Sequence, residues 1–112
     1  MKRIFLCSPY AGLVKANTIT AELLCREVVR LGHSPFAPHL HYTRFLSDAK
    51  ERDLGISCGL AWLQVCDEVW AYTANGISPG MALEIAEAHR LGVPVLSWDG
   101  SGSAMKAKRG AP

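Results

Sequence analysis

The sequence predicts a single α/β domain built on a doubly wound parallel sheet of four to five strands. A chain of 112 residues has room for one hydrophobic core and little more. Short apolar runs alternate with longer segments in which apolar residues recur at helical spacing. The short runs are apolar on both faces, as expected of strands buried between two layers of helices. Right-handed crossovers then place helices on both sides of the sheet.

The first strand and helix follow one another directly. Residues 3–7 form an apolar run that ends in a turn-rich loop at residues 8–12, which predicts a buried strand and its loop. Apolar residues at helical spacing begin near Asn17. Asn17 or Thr18 could cap this helix, and Gly32 is placed to end it. The sequence therefore predicts a first β-α unit.

The middle of the chain is interrupted by prolines. Pro35 and Pro38 limit the second strand to residues 34–37, and a long loop follows. A polar stretch at residues 47–53 leads into a helix that extends to about residue 65 and contains two glycines. Trp62 in this helix is predicted to be a core aromatic because it lies on an apolar face.

The second half of the chain has the clearest pattern. Residues 68–72 are β-branched and aromatic, with Trp70 as a second core aromatic, and the turn-rich segment 73–80 follows them. An amphipathic helix then ends at Gly92, before a last strand at residues 93–98. We therefore expect a Rossmann-like or flavodoxin-like three-layer domain at residues 1–98. The Gly-, Ser- and Lys-rich residues 99–112 are predicted to form a flexible tail.

Composition narrows the possible partners. Apolar residues make up 49% of the chain, and the formal net charge is only +2. The lysines and arginines are scattered, so the basic patch of a nucleic-acid-binding protein is missing. There is no signal-like apolar region or membrane-length segment, so we expect a cytoplasmic protein without a membrane partner. Four cysteines without a C-x-x-C pair indicate buried thiols rather than disulfides or a metal site.

A ligand of an open parallel sheet binds outside the carboxyl ends of the strands. Three loops meet at that edge, at residues 8–12, 39–42 and 73–80. Their polar groups and backbone N–H groups suit a small polar ligand. The candidate ligand-binding residues are Ser8, Tyr10, Gly12, His39, Ser78, Pro79, Gly80 and Met81.

The start of the last helix is the sharpest candidate. Pro79 suits a first helical turn and leaves the following N–H groups free to face an anion beside Ser78. Ser78 could instead only cap its own helix. Glu84 lies one turn further on and should point towards the loop edge, where a carboxylate could act as a nucleophile or base. Its alternative is an ordinary solvated carboxylate near a helix amino terminus.

The combined motifs resemble the nucleoside 2-deoxyribosyltransferase-like superfamily. The resemblance covers about residues 2–97 and rests on an S-x-G-x-x-x-E spacing at Ser78–Glu84 and an L-x-W-L-x-x-x-D segment at Leu60–Asp67. The superfamily includes deoxynucleoside 5′-monophosphate N-glycosidases and a branch of small proteins, many of them phage-encoded, which this chain looks closest to. This resemblance implies an α/β fold and a nucleoside or nucleotide ligand.

The resemblance also implies roles for individual residues. Glu84 would attack the anomeric carbon of a deoxyribose, and Ser78 with the backbone around Gly80 would hold a 5′-phosphate or hydroxyl. The sequence departs from the family where catalytic members have an Asp and a Tyr, because these places hold Gly59 and Phe5. Replacements could come from Tyr10, Asp53, His39 or His41. Asp53 could instead cap a helix, and His39 could be a binding residue or a hydrogen-bonded loop residue.

Two functions remain open from the sequence. One is an N-glycosidase or deoxyribosyltransferase that uses Glu84, without a cofactor. The other is a non-catalytic nucleotide-binding or nucleotide-sequestering protein. A homo-oligomer is expected in both cases, because so short a chain encloses a site poorly and superfamily members commonly complete the pocket with a neighbouring subunit.

Overall fold

The computed structural model describes residues 1–102, which form a four-stranded parallel sheet with helices on both sides. The strands are β1 (Arg3–Cys7), β2 (Ser34–Phe36), β3 (Glu68–Tyr72) and β4 (Val95–Trp98). Their order in the sheet is β2-β1-β3-β4, and every adjacent pair is parallel. The predicted doubly wound α/β fold is therefore confirmed.

Four helices and one short 3-10 turn connect the strands. They are α1 (Val14–Arg30), α2 (Pro38–His41), the 3-10 turn Tyr42–Arg44, α3 (Asp48–Leu63) and α4 (Pro79–Leu91). The 3-10 turn lies between α2 and α3, and Glu51 interrupts the regular backbone of α3 one turn after its start. The segment between β2 and β3 is therefore helical almost throughout, where the sequence predicted a long loop before its helix.

Two apolar clusters cover the two faces of the sheet. Ile4 and Leu6 of β1 pack with Trp70 and the buried residues of α1. Phe5 and Cys7 point the other way and pack with the buried residues of α3 and α4. Successive strand residues alternate between faces, so a strand covered on both sides must be apolar at every position. This explains the continuous run at residues 4–7.

Three element boundaries differ from the prediction. Helix α1 begins at Val14, because Gly12 adopts a left-handed backbone (φ +90°) that turns the chain into the helix one turn early. Asn17 therefore caps nothing, and its Nδ2 donates to the carbonyl of Tyr10 at 3.0 Å. Strand β2 ends at Phe36, just before the helix that Pro38 opens. Strand β4 begins at Val95.

The two tryptophans named in the sequence behave differently. Trp70 is fully buried, and its Nε1 donates to Glu68 Oε1 at 2.9 Å, so its prediction as a core aromatic is confirmed. The prediction for Trp62 is wrong, since it is 50% exposed and donates to the hydroxyl of Tyr42. Apolar residues surround much of α3, and periodicity alone could not choose which side would be buried.

All four thiols are free. Cys7 is buried, whereas Cys25, Cys58 and Cys66 are partly buried. Of the predicted tail, residues 103–112 lie outside the described part of the chain. Within residues 1–102, no helix is long and apolar enough to cross a membrane.

Gly92 ends α4, as predicted, with a left-handed backbone of φ +75°. We expect Gly92→Ala to lower the free energy of unfolding by about 1 to 2 kcal/mol, because a Cβ is disfavoured in this conformation. Gly55→Ala in α3 is the control, since its Cβ would lie 3.7 Å from Leu46 Cδ1 in ordinary contact. It should be neutral or stabilising by up to about 1 kcal/mol. Urea unfolding of both variants measures the difference, and equal effects would contradict this account.

Candidate functional site

A partly enclosed cavity lies between the segment that follows β2 and the first turns of α4. Polar and apolar residues both line it. They are Pro38, His39, Tyr42, Thr43, Leu46, Ser47, Asp48, Glu51, Arg52, Gly55, Ile56 and Glu84.

Glu84 contributes a buried carboxyl group to this cavity. It is only 6% exposed, and its Oε1 has no hydrogen-bond partner among the described residues. Burial penalises the charged form, which raises the pKa of Glu84 from 4.5 to about 8, and a hydrogen bond from Cys7 opposes this shift. An unpaired buried polar atom costs stability. Here it leaves a hydrogen-bonding position open beside an empty volume.

The position of Glu84 follows from the helical repeat of α4. The buried residues of this helix are Met81, Glu84, Ile85 and Ala88, which recur at spacings of three and four. Glu84 therefore occupies a core position in an apolar stripe. The alternative prediction, that Glu84 is a solvated surface carboxylate, is therefore wrong. The stripe was visible in the sequence, and an acidic residue inside it is the signal that singles out Glu84.

Ser8 provides a second buried polar atom at the same sheet edge. It directly follows β1, is 1% exposed, and its Oγ has no partner among the described residues. Buried hydroxyls are normally hydrogen-bonded, so this unpaired atom is unusual, although Ser8 is not among the residues that line the cavity. Ser8 and Glu84 are the two unpaired buried side chains of residues 1–102.

His39 and Tyr10 form an aromatic pair at the cavity. Their ring centroids lie 5.0 Å apart, and the planes differ by 20°. Burial and the nearby charge of Arg52 lower the pKa of His39 to about 4, against a weaker opposing hydrogen bond with the Ser8 backbone. His39 is therefore neutral at pH 7. The pair offers a flat, uncharged surface of the kind on which planar rings stack.

Arg52 brings a cation to the start of α4. Its Nη1 lies 3.2 Å from Asp48 Oδ1, and its Nη2 lies 3.5 Å from the point where a Cβ on residue 80 would be. The guanidinium therefore lies beside the first turn of this helix. A helix amino terminus and a guanidinium both favour an anion.

Ser78 caps α4, which is the alternative to ligand binding that the sequence analysis gave for this residue. Its Oγ accepts a hydrogen bond from the Met81 N–H at 3.2 Å, and exposed Pro79 takes the first helical position. The Met81 side chain is fully buried in the core, so only its backbone could meet a ligand. Gly12 is exposed and does not line the cavity formed by the described residues.

Of the four residues proposed to replace the missing acid, two lie at the cavity and two do not. His39 lines the cavity and Tyr10 stacks on it, whereas His41 and Asp53 are exposed and lie outside its lining. Asp53 is not a helix cap either, because α3 begins at Asp48. Four polar residues of the cavity lining, from the start of α3 and the 3-10 turn, were not among the predicted ligand-binding residues. They are Tyr42, Asp48, Glu51 and Arg52. The Asp48-Arg52 spacing of four was the available signal for a helical ion pair.

Gly59 occupies a crowded position. A Cβ on this residue would lie 3.0 Å from Pro38 Cβ and 3.2 Å from Pro38 Cγ. Helices α2 and α3 therefore touch here, and a carboxylate-bearing side chain at residue 59 would require them to move apart.

Comparison with known sequences identifies the family. The profile of a family described as a domain of unknown function, DUF7768, matches residues 2–98. The chain belongs to this family. No curated protein matches the DUF7768 chain.

Solved structures show what the DUF7768 chain is similar to. A 2-deoxyribosyltransferase from Bacillus psychrosaccharolyticus aligns with a TM-score of 0.65 and 22% identity, covering 90% of this chain and 74% of that one. A 2-deoxyribosyltransferase from Leishmania mexicana gives 0.61 and 17%, covering 88% and 64%. A CMP N-glycosidase from Clostridium botulinum gives 0.55 and 22%, covering 86% and 70%. The chain thus has the nucleoside 2-deoxyribosyltransferase-like fold, which confirms the resemblance; it spans less than two thirds of the Leishmania protein.

The raised pKa of Glu84 predicts how stability depends on pH. Between pH 4.5 and about 8, the folded chain keeps a proton that the unfolded chain has released. The free energy of unfolding should therefore fall as pH rises through this window. Relative to Glu84→Gln, which cannot ionise, the parent should lose roughly 3 to 4 kcal/mol between pH 5 and 8.5. Denaturant unfolding at both pH values measures this loss. Parallel pH dependences of the two proteins would contradict the buried carboxyl.

Proposed function

We propose that this chain is an N-glycosidase or 2-deoxyribosyltransferase acting on a nucleoside or nucleotide, with Glu84 as the nucleophile. The observation that carries the proposal is the Glu84 carboxyl group, which is buried, has an unpaired oxygen and lines a partly enclosed cavity. The fold supports it, since similar structures include 2-deoxyribosyltransferases and a CMP N-glycosidase.

The proposed reaction has two displacement steps. The Glu84 carboxylate attacks the anomeric carbon, and the bond from that carbon to the base nitrogen breaks, with its electron pair going to the base. A proton delivered to the base completes its departure. Water, or the nitrogen of a second base, then displaces the carboxylate from the anomeric carbon and gives its proton to the group that protonated the first base. The first acceptor gives hydrolysis and the second gives transfer.

Two carboxyl groups could deliver that proton. Asp48 and Glu51 line the same cavity as Glu84. Asp48 is paired with Arg52, and Glu51 Oε1 accepts a hydrogen bond from the Ser47 N–H at 2.8 Å.

An anionic end of the ligand would lie near Arg52. The guanidinium and the first turn of α4 together favour a phosphate. Asp48 would then have to share Arg52 with that phosphate. A base could stack against the paired rings of Tyr10 and His39, and Ser8 Oγ offers it a buried hydrogen bond.

A second function, nucleotide binding without catalysis, is favoured by a specific contact. The position where catalytic relatives are expected to carry an Asp is Gly59, and a Cβ there would lie 3.0 Å from Pro38 Cβ, so Pro38 would have to shift to admit a side chain. Phe5, at the expected Tyr position, is fully buried. On this alternative the cavity binds a nucleotide, and no group protonates the base.

The two functions differ in whether free base appears. We expect the parent protein, incubated with a panel of nucleosides and nucleoside monophosphates, to release free base measured by chromatography. Glu84→Gln should reduce release by at least about 1000-fold while keeping most of the binding measured by calorimetry. Glu87→Gln is the matched control, because Glu87 lies three residues on and pairs with Arg90 at the surface.

The results separate the alternatives clearly. Binding without base release by the parent selects the non-catalytic function. Turnover by Glu84→Gln at the parent rate contradicts the nucleophile assignment, and an equal loss in Glu87→Gln shows that the effect is not specific to the buried carboxyl.

The pH dependence of the reaction gives an independent prediction. Attack requires the carboxylate, and the pKa of Glu84 in the free protein is about 8. We therefore expect kcat/KM to rise about tenfold per pH unit below pH 8 and to level off above it. Initial rates at low substrate from pH 5.5 to 9.5 measure this profile. A profile that is flat between pH 6 and 9 would exclude Glu84 as the group that must ionise.

A further inference from the structure

We propose that Glu51 is a specificity-determining residue, whose carboxylate accepts a hydrogen bond from the 3′-hydroxyl of a bound nucleotide and so excludes ligands that carry a phosphate there. The proposal rests on the proposed function, because it needs a nucleotide in the cavity with its 5′-phosphate near Arg52, but it does not need catalysis. Neither the resemblance nor the predicted site residues included Glu51.

The Glu51 carboxylate has one oxygen that the described residues leave unpaired. Glu51 lines the cavity on the α3 side, and Glu84 lines it from α4. The Oε1 atom of Glu51 accepts a hydrogen bond from the Ser47 N–H at 2.8 Å, and its other oxygen accepts none from residues 1–102. A carboxylate can accept several hydrogen bonds and donates none. Glu51 therefore suits a ligand group that has a proton to donate.

The contacts of Glu51 with Ser47 hold the carboxylate in place. The N–H of Glu51 donates to the Ser47 carbonyl at 2.7 Å, while the side chain binds the Ser47 N–H. Glu51 also has a non-helical backbone conformation inside α3, with φ −125° and ψ 23°. Irregular backbone is concentrated at ligand sites. An acceptor that is already held in place also loses less entropy when a ligand binds.

Asp48 and Thr43 lie on the same wall of the cavity and are already engaged. Both carboxylate oxygens of Asp48 lie near Arg52 Nη1, at 3.2 and 3.4 Å. Thr43 Oγ1 donates to the carbonyl of His39. A charged acceptor binds a hydroxyl more strongly than a neutral one does. Glu51 is therefore the carboxylate of this wall to which a ligand hydroxyl can bind without breaking an ion pair.

The position of Glu51 beside Arg52 indicates which ligand group it meets. The two residues are consecutive, so their Cα atoms lie about 3.8 Å apart. When the 5′-phosphate lies near Arg52, the sugar extends into the cavity with its anomeric carbon at Glu84. The 3′-hydroxyl is linked to the 5′-oxygen only through C3′, C4′ and C5′, so it stays on the phosphate side of the sugar. In a deoxynucleoside 5′-monophosphate it is also the remaining hydroxyl of the sugar.

A phosphate in place of that hydroxyl would be excluded. Its negative charge would meet the Glu51 carboxylate in a partly enclosed cavity, where like charges repel more strongly than in water. Every nucleotide inside a nucleic-acid strand carries such a phosphate, and an esterified phosphate has no proton to donate. The site should therefore accept free nucleotides with an unmodified 3′-hydroxyl and reject nucleic-acid strands.

The test compares ligands that differ only at the 3′ carbon. They are the common deoxynucleoside 5′-monophosphates, their 2′,3′-dideoxy analogues and their 3′,5′-bisphosphates. Affinities are measured by calorimetry in Glu84→Gln, which should not cleave these ligands. For the base that binds best, we expect the 5′-monophosphate to bind at least about tenfold more tightly than either analogue.

Removal of the Glu51 carboxylate should change the affinities in opposite directions. When Glu51→Ala is added to Glu84→Gln, the 5′-monophosphate should bind about tenfold more weakly, close to the affinity of its dideoxy analogue. The bisphosphate should instead bind about three- to tenfold more tightly, because the repulsion is removed. A purely structural role for Glu51 would weaken all of these ligands alike.

Asp53→Ala is the matched control, since Asp53 is an exposed carboxylate of the same helix and is not part of the described cavity lining. It removes the same charge and should leave every affinity within about twofold, because solvent screens an exposed charge. Circular dichroism checks that each variant is folded. Glu51→Gln keeps an acceptor for the Ser47 N–H and removes the charge, so it decides if Glu51→Ala does not fold. Unchanged rejection of the bisphosphate by Glu51→Gln overturns the proposal.

Two further outcomes would overturn the role of Glu51 alone. One is an affinity for the 5′-monophosphate within about twofold of that for its dideoxy analogue before Glu51 is changed. The other is a parallel loss of affinity for all three kinds of ligand in Glu51→Ala. If neither the parent nor Glu84→Gln binds any of these ligands, the proposed function fails and this proposal fails with it.

Discussion

The desolvation of one carboxyl group governs the arrangement of this site. Glu84 occupies a core position on α4, where neighbouring residues are apolar, so its charge is disfavoured. It lines a cavity together with polar residues of α3 and the 3-10 turn, among them Asp48, Arg52 and Tyr42. The chain thereby keeps a carboxyl group whose neutral form is favoured by burial.

The two halves of the fold differed in how well they could be predicted. Strand β3 and the end of α4 were clear, because β-branched residues, helical periodicity and Gly92 all point to one structure. The segment between β2 and α3 was not, since Pro38 opens a helix as readily as it ends a strand. Its four-residue helix and 3-10 turn are held by tertiary packing, and no local pattern specifies them.

The residues of the candidate site also differed in how well they could be predicted. Residues on α4 could be placed because a helix fixes which side chains lie together. Asp48, Glu51 and Arg52 were missed, because a polar stretch before a helix looks like solvated surface until the 3-10 turn folds it against α4. Trp62 was misplaced for a related reason, since one face of α3 had to be chosen without knowing what packs against it.

The hydrogen bond between Trp62 and Tyr42 gives the protein an intrinsic optical reporter. Trp62 Nε1 donates to the Tyr42 hydroxyl at 2.7 Å, and Tyr42 is part of the cavity lining. Trp70 and Trp98 are buried in the cluster on the other face of the sheet, so their emission should be blue-shifted and insensitive to the cavity. A molecule that displaces Tyr42 would alter the polarity around one half-exposed indole, and the long-wavelength edge of the fluorescence would register its arrival without any added label.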